Sequence, residues 1–264
     1  MAVTYLSGKR IQGVGNAERT ITDNLATDKA GWTTGTGSGT GNGYEDITND
    51  AVDFKMVSPD AETGSDRDVI YTDVQNVNYL NGDNLNDTSF VVKSHVRFSD
   101  IEETGGGENR SYFGFYSSDE WGGTAQDFFY LQVFAGDGVD PTLVLGYGNN
   151  STFESAPNKN GTAFTAEPLV DTDYYITFTK TGGDTYKIRV TTSSDYTGGQ
   201  EMSATISDIT SLRYFGWKGR GDTQDNGGNT KGYFNDISIT SGTTDEKTTV
   251  TDVPVGSEFE QTDD

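Results

Sequence analysis

Apolar and polar residues alternate with a period of two in many short segments of this chain. A long example is TSFVVKSHVRFSD, residues 88–100. Its side chains predicted to face inward are Phe90, Val92, Val96 and Phe98, and those predicted to face outward are Lys93, His95 and Arg97. Successive side chains of an extended chain point to opposite faces, so this alternation predicts a half-buried β-strand.

About a dozen segments carry this pattern at hairpin spacing, while helical periodicity is almost absent. They lie at residues 51–57, 68–74, 88–100, 111–117, 127–136, 142–148, 174–180, 185–192, 201–207, 212–219 and 231–240. Such a series predicts an all-β fold, a two-sheet antiparallel β-sandwich. The Gly/Thr-rich residues 33–43 are predicted to form a surface loop.

The sandwich is predicted to span residues 21–242. Residues 1–20 are polar and punctuated by glycine, which predicts an extended N-terminal arm. Residues 243–264 lose the alternation and become acidic and Thr-rich, which predicts an acidic C-terminal tail or linker. Both ends are low in apolar residues, so we expect contacts with neighbouring subunits to order them.

Charge narrows the partners that this chain can have. It carries 41 acidic residues against 18 Lys and Arg, a formal net charge of −23. That excess argues against nucleic acid and anionic membranes, because phosphate groups need cationic patches. It favours a marine or halophilic setting, or one rich in Ca²⁺. There is no cysteine, which excludes disulfides and thiol catalysis.

The N-terminal residues 1–20 contain no apolar core of a signal peptide, and no apolar run approaches the length of a membrane span. We therefore expect no signal peptide and no membrane insertion. A protein that assembles into virus particles in the host cytoplasm, and leaves the cell within them, needs neither a signal peptide nor a membrane span.

The order of the segments resembles the concanavalin A-like lectin/glucanase superfamily in its laminin G-like jelly-roll form. The resemblance covers roughly residues 25–240 and rests on Trp32 before a Gly/Ser loop, the strand SFVVKSHVRFSD, the hairpin YYITFTKTGGDTYKIRVTT and the closing strand GYFNDISI. It implies a jelly-roll sandwich with a lectin-like surface.

The two ends, TYLSGKRIQG and DVPVGSEFEQTDD, are similar to segments of structural proteins of tailed viruses, phage or archaeal. This resemblance implies a virion structural protein, a capsid decoration, spike or tail-associated protein that contacts its own copies and other virion proteins and attaches to a host-surface glycan. The alternative is a carbohydrate-binding module of a cell-surface or secreted protein.

Catalysis is not predicted. Glucanases of the superfamily carry carboxylates two residues apart on one strand, whereas Glu102 and Glu103, like Asp119 and Glu120, are adjacent and point opposite ways if extended. His95 has no nucleophile partner that the sequence suggests, and as an outward strand residue it is expected to be solvated.

Two kinds of ligand site are predicted in loops. Oxygen-rich loops are candidates for Ca²⁺, first among them GDTQDNGG with Asp222, Asp225 and Asn226, because laminin G-like domains place cation sites at one rim. The alternative is that these loops are ordinary hairpin turns. Candidates for stacking on a glycan are Trp121, Tyr196 and Trp217. For Trp217 the alternative is core packing, since it alternates with Phe215.

The outward phase of Lys187 and Arg189 matches that of Lys93 and Arg97. If the two strands share a sheet, these four cations form one basic patch on an acidic body. One interpretation is pairing with acidic residues of neighbouring strands, worth roughly 0.2–1 kcal/mol per pair. The other is a docking surface for an acidic patch on the next subunit.

Overall fold

The computed structural model describes residues 5–6, 9–10, 19–23, 32–36, 44–48, 51–57, 68–75, 85, 89–102, 108–118, 126–136, 139–151, 158–159, 169–181, 183–209, 212–220 and 229–241. Side chains are described for most of these from residue 71 onward. Within these residues the regular secondary structure is all β, and no helix there could cross a membrane.

The strands in the described part of the chain are β1 (Tyr5–Leu6), β2 (Lys9–Arg10), β3 (Arg19–Asp23), β4 (Trp32–Thr36), β5 (Tyr44–Thr48), β6 (Ala51–Val57), β7 (Asp68–Asp73), β8 (Phe90–Glu102), β9 (Glu108–Tyr116), β10 (Gln126–Gly136), β11 (Val139–Ser151), β12 (Asn158–Lys159), β13 (Asp173–Lys180), β14 (Thr185–Thr191), β15 (Gln200–Thr205), β16 (Tyr214–Arg220) and β17 (Asn229–Ser241).

These strands form two large antiparallel sheets. One sheet has seven strands in the order β12-β11-β10-β9-β16-β7-β4. The other has eight, in the order β15-β14-β13-β8-β17-β6-β5, with β3 also paired to β17. Strands β1 and β2 pair only with each other among the described residues. The predicted all-β, two-sheet antiparallel sandwich is confirmed.

An aromatic core fills the space between the two sheets. The inward side chains predicted in β8, from Phe90 to Phe98, are at most 1% exposed. Across the core, Trp217 of β16 stacks on Phe113 of β9 with ring centroids 4.8 Å apart and meets Phe98 edge-to-face at 5.8 Å. Aromatic rings of this size bury a large apolar area each, which compensates for the low apolar content of the chain.

Two sequence predictions are corrected by this packing. Trp217 is 0% exposed and belongs to the core, so it presents no ring face to a sugar; its period-two phase with Phe215 places both inside. The predicted loop at residues 33–43 begins instead as strand β4, whose Thr33–Gly35 backbone pairs with β7. Threonine is β-branched and suits a pleated sheet, and pairing with β7 outweighs the flexibility of glycine there.

The boundaries of the predicted arm and tail stay predictions. Strand β3 begins at Arg19, opposite Ser241 of β17, so the backbone joins the large sheet from that residue onward. Residues 243–264 lie outside the described residues.

Candidate functional site

The outer face of the eight-stranded sheet carries a cluster of polar and aromatic side chains. Strands β14, β13, β8 and β17 are neighbours, and their register aligns the outward residues in rows. In the central row, His95 lies opposite Tyr175 of β13 on one side and Asn235 of β17 on the other. The next row along the strands places Arg97 between Asp173 and Tyr233.

Four rings form a continuous line across this face, which we call the tyrosine row: Tyr233, His95, Tyr175 and Tyr196. His95 stacks on Tyr175 with centroids 4.9 Å apart and an interplanar angle of 22°. Tyr233 meets His95 edge-to-face at 5.7 Å, and Tyr196 meets Tyr175 edge-to-face at 5.3 Å. The three tyrosines are partly exposed, whereas His95 is only 8% exposed.

His95 is held by a side chain on each side. Its Nε2 donates to Oδ1 of Asp173 at 3.0 Å, and its Nδ1 lies 2.6 Å from Oδ1 of Asn235. The expectation that His95 is solvated was therefore wrong. Neighbouring strands bring an acidic and an amide side chain to the two ring nitrogens, which fixes the plane of the ring and hence the stacking on Tyr175.

The carboxylate of Asp173 also binds Arg97. Its Oδ2 accepts a hydrogen bond from Nη1 of Arg97 at 3.2 Å, and Oδ1 of Asp171 lies 3.5 Å from Nη2 of the same guanidinium. Burial by itself would raise the pKa of Asp173, but the hydrogen bonds from His95 and Arg97 outweigh it and lower that pKa. The hydrogen bond to Asp173 in turn raises the pKa of Arg97.

Tyr196 lies in the turn after β14, and hydrogen bonds within the turn hold its backbone. Oδ1 of Asp195 accepts from the amide and hydroxyl of Thr197 and from the hydroxyl of Ser193. These bonds, the Thr197 hydroxyl first, lower the pKa of Asp195 to about 2. Thr191 donates to the carbonyl of Thr197 at 2.8 Å, which ties the turn back to the strand.

Backbone strain is concentrated around the tyrosine row. Among the described residues, four non-glycine residues have positive φ, and three of them lie here: Asp171, Tyr196 and Asp236. Tyrosine at φ 63° is unusual, because its Cβ clashes in the left-handed region. Asp236 sits in the register shift of β17 between Asn235 and Ser238. Such strain costs on the order of 1–3 kcal/mol per residue and is typical of binding sites.

Lys93 completes the cluster at the other side of the tyrosine row. Its Nζ lies 5.0 Å from the centroid of the Tyr196 ring. Burial raises the pKa of the Tyr196 hydroxyl, and the negative charge of Asp236 raises it further.

The four predicted docking residues do share one sheet, with β13 between β8 and β14. Three of them have acidic partners: Arg97 binds Asp173, while Lys187 and Arg189 both bind Glu201 of β15, at 2.9 and 2.6 Å. The hydrogen bond from Lys187 is the main reason that the pKa of Glu201 is lowered, and Arg189 adds to it. The cross-strand pairing that one interpretation predicted therefore occurs for these three cations. The docking role stays a prediction.

A second aromatic cluster lies on the outer face of the seven-stranded sheet but is buried. Tyr112, Tyr116, Phe128 and Tyr130 are each 0% exposed. Lys218 is also 0% exposed, with Nζ 4.1 Å from the centroid of the Tyr116 ring and a hydrogen bond to the carbonyl of Ser118. A saccharide has no access to these rings as they stand, so the tyrosine row is the better candidate site.

The structure does not describe the remaining predicted ligand residues. Trp121, Asp222, Asp225 and Asn226 lie outside the described residues. Within the described residues there is no group of three acidic or imidazole side chains suited to a metal ion. Of the predicted glycan-binding residues, only Tyr196 lies in the tyrosine row.

Sequence reasoning missed Tyr175, Tyr233 and Asp173 as site residues. The sequence did contain a signal for Tyr175, because this residue is outward in the alternation of β13. A partly exposed tyrosine on a strand is as good a candidate for ligand binding as a tyrosine in a loop. The pairing of Asp173 with His95 joins residues 78 positions apart, and only the register of β8 with β13 reveals it.

No protein-family model matches the chain, and no curated protein matches it. Among solved structures, the chain is similar to the CBM2 module of the evolved Dit of Lactobacillus casei BL23 phage J-1, with 12% identity over 85% of this chain and 97% of that one and a TM-score of 0.51. It is also similar to a protein of unknown function from Shewanella oneidensis MR-1, with 10% identity over 88% and 89% of the two chains and a TM-score of 0.52. These likenesses show a shared β-sandwich fold.

Proposed function

We propose that this chain is a non-enzymatic carbohydrate-binding module and that a saccharide lies across the tyrosine row. The observation that carries the proposal is the line of rings on the outer face of the sheet, whose three tyrosines are partly exposed and lie beside hydrogen-bonding groups. Aromatic faces pack against the apolar faces of sugar rings, and a few fixed polar groups then orient the hydroxyls. The CBM2 module of a phage protein has the same fold, which supports this reading by analogy.

The network beneath the tyrosine row fits this role. His95 is fixed by Asp173 and Asn235, so the ring that it stacks on, Tyr175, is already oriented before a ligand arrives. Tyr196 is likewise held by its turn. A site that is ordered in advance loses little entropy on binding.

A glycan array followed by calorimetry on the best saccharide tests the proposal. Replacing Tyr175 and Tyr196 by alanine removes two stacking rings, and each is expected to weaken binding by about tenfold, or ~1.4 kcal/mol. The matched control is Tyr71→Ala, which removes a partly buried tyrosine of the other sheet, 5.3 Å from Tyr214. The site would be refuted if Tyr71→Ala weakened binding as much as the Tyr175 and Tyr196 variants do. It would also be refuted if the native chain bound no saccharide.

We further propose that a virion displays this module, as a capsid decoration, spike or tail-associated protein. The support is the resemblance of both chain ends to virion proteins, with residues 1–20 and 243–264 as contacts to its own copies and to other virion proteins. Mass spectrometry of purified particles tests this directly, and a chain found only on cell surfaces would favour the alternative of a cellular carbohydrate-binding module.

Two subsidiary parts of the proposal have their own tests. If the module is not an enzyme, the bound saccharide stays intact on prolonged incubation, as mass spectrometry of the supernatant would show. If residues 221–228 hold Ca²⁺, chelation lowers the melting temperature and added Ca²⁺ restores it.

A further inference from the structure

Four cations of the described residues lie on the outer face formed by β8, β13 and β14, and Lys93 differs from the other three in its partners. Arg97, Lys187 and Arg189 each bind a carboxylate. Within the described residues no carboxylate lies at ion-pair distance from Lys93, and its contact is with the Tyr196 ring. In a chain of net charge −23, a cation left without an acidic partner at a candidate binding site points to an acidic ligand.

Lys93 is partly exposed, and no long side chain lies directly opposite it. It lies opposite Thr177 of β13 and Ser238 of β17, which are both short side chains. His95 follows two residues later on the same face, about 7 Å along the strand. An acidic group above Lys93 is therefore within one sugar unit of the stacked pair formed by His95 and Tyr175.

We propose that the saccharide bound by the tyrosine row is acidic and that its carboxylate or sulfate pairs with Lys93. This inference rests on the proposed carbohydrate-binding function. The sugar ring lies against Tyr196 or Tyr175, and the charged substituent reaches the ammonium of Lys93 beside the Tyr196 ring. Asp236, on the bulge of β17, opposes an acidic ligand and limits its affinity.

The negative charge of the whole chain does not prevent this. At an ionic strength near 0.15 M, exposed charges are screened beyond about 8 Å, so a ligand on this face responds mainly to the charges beside it. Arg97 is paired with Asp171 and Asp173, while Lys187 and Arg189 share the carboxylate of Glu201. Of the four cations on this face, Lys93 is the one that no carboxylate of the described residues pairs with, so it is the cation left to pair with a ligand.

Matched pairs of tetrasaccharides test the inference by calorimetry: galacturonate with galactose, mannuronate with mannose, and 6-sulfated with unsulfated galactose. The acidic member of at least one pair is expected to bind about tenfold more tightly than its neutral counterpart. The carboxylate and sulfate arms show which acidic group is preferred. Raising the salt concentration from about 0.05 to 0.5 M should weaken the acidic member and leave the neutral one nearly unchanged.

Two variants assign the preference to Lys93. Lys93→Met keeps the apolar stem and should lose the preference for the acidic member, while Asp236→Asn, which tolerates the same backbone conformation, should strengthen it several-fold. The matched control Lys187→Met removes a cation of the same face that is bound to Glu201 and should leave the preference intact.

The outcomes separate the inference from the function that it rests on. If acidic and neutral members bind equally, the inference is overturned and the carbohydrate-binding function stands. If none of these tetrasaccharides binds but the glycan array yields a neutral saccharide that does, only the inference is overturned; if the array yields no saccharide, both are overturned. If Lys93→Met leaves saccharide binding unchanged but alters the sedimentation of the native chain, Lys93 belongs to a subunit contact and the inference fails.

Discussion

Replacing Asp173 by asparagine tests whether the hydrogen bonds beneath the tyrosine row stabilise the folded chain. The substitution keeps the shape of the side chain and removes its charge. It weakens two charge-assisted bonds, to His95 at 3.0 Å and to Arg97 at 3.2 Å. The Asp173 side chain is 44% exposed, so each pair contributes only a surface-like 0.2–1 kcal/mol, and the expected loss is about 1 kcal/mol.

The loss should depend on pH in a defined direction. The folded chain lowers the pKa of Asp173 below its ordinary value of 3.8. The stability that this adds is fully present above the unfolded-state pKa and disappears as the pH falls through the lower folded-state pKa. Protonated Asp173 and asparagine are both neutral, so the native chain and the variant should converge in acid.

Urea unfolding at pH 7 and at about pH 3 measures this difference. The control Asp208→Asn changes an exposed aspartate whose positive φ asparagine also tolerates, and it should alter the free energy of unfolding by less than ~0.5 kcal/mol. The reasoning is refuted if Asp173→Asn has no effect at pH 7, or if its effect stays constant between the two pH values.

Three further variants probe the rest of the fold. Trp217→Ala should lower the free energy of unfolding by about 3–5 kcal/mol, because it empties a fully buried site; a loss below ~1 kcal/mol in urea unfolding would contradict core packing. Gly199→Ala should cost about 1–3 kcal/mol and loosen the Tyr196 turn, since φ is 76° and an added Cβ meets the Val190 carbonyl; unchanged amide exchange in that turn would argue otherwise. Glu201→Gln should cost less than ~1 kcal/mol, with the loss disappearing in high salt, and a salt-independent loss would mean that its ion pairs are not the cause.

The strands were predictable because period-two alternation is strong where aromatic and β-branched residues fill one face. Strand β6 was predicted with its observed bounds, and β13 and β14 were predicted to within a residue. Strand β4 was missed because its Gly/Thr sequence lacks that alternation, and pairing with β7 supplies what the local sequence does not.

The site was less predictable, since it depends on the order of strands in the sheet. The sequence indicated that His95 faces outward, but its partners Asp173 and Asn235 lie 78 and 140 positions away. Tyr196 was identified from its turn-rich surroundings. Nothing in the local sequence showed that this turn folds back over Tyr175. The register of β13 with β14 decides that contact.

The position of a bound saccharide is the most direct test of the account. Backbone amide NMR shifts, recorded as the best saccharide from the array is added, report which face of the sandwich it contacts. We predict that the shifts concentrate at residues 93–97, 173–177, 191–197 and 233–236. Shifts concentrated instead on β9, β10 and β16 of the other sheet would contradict the tyrosine row as the binding site.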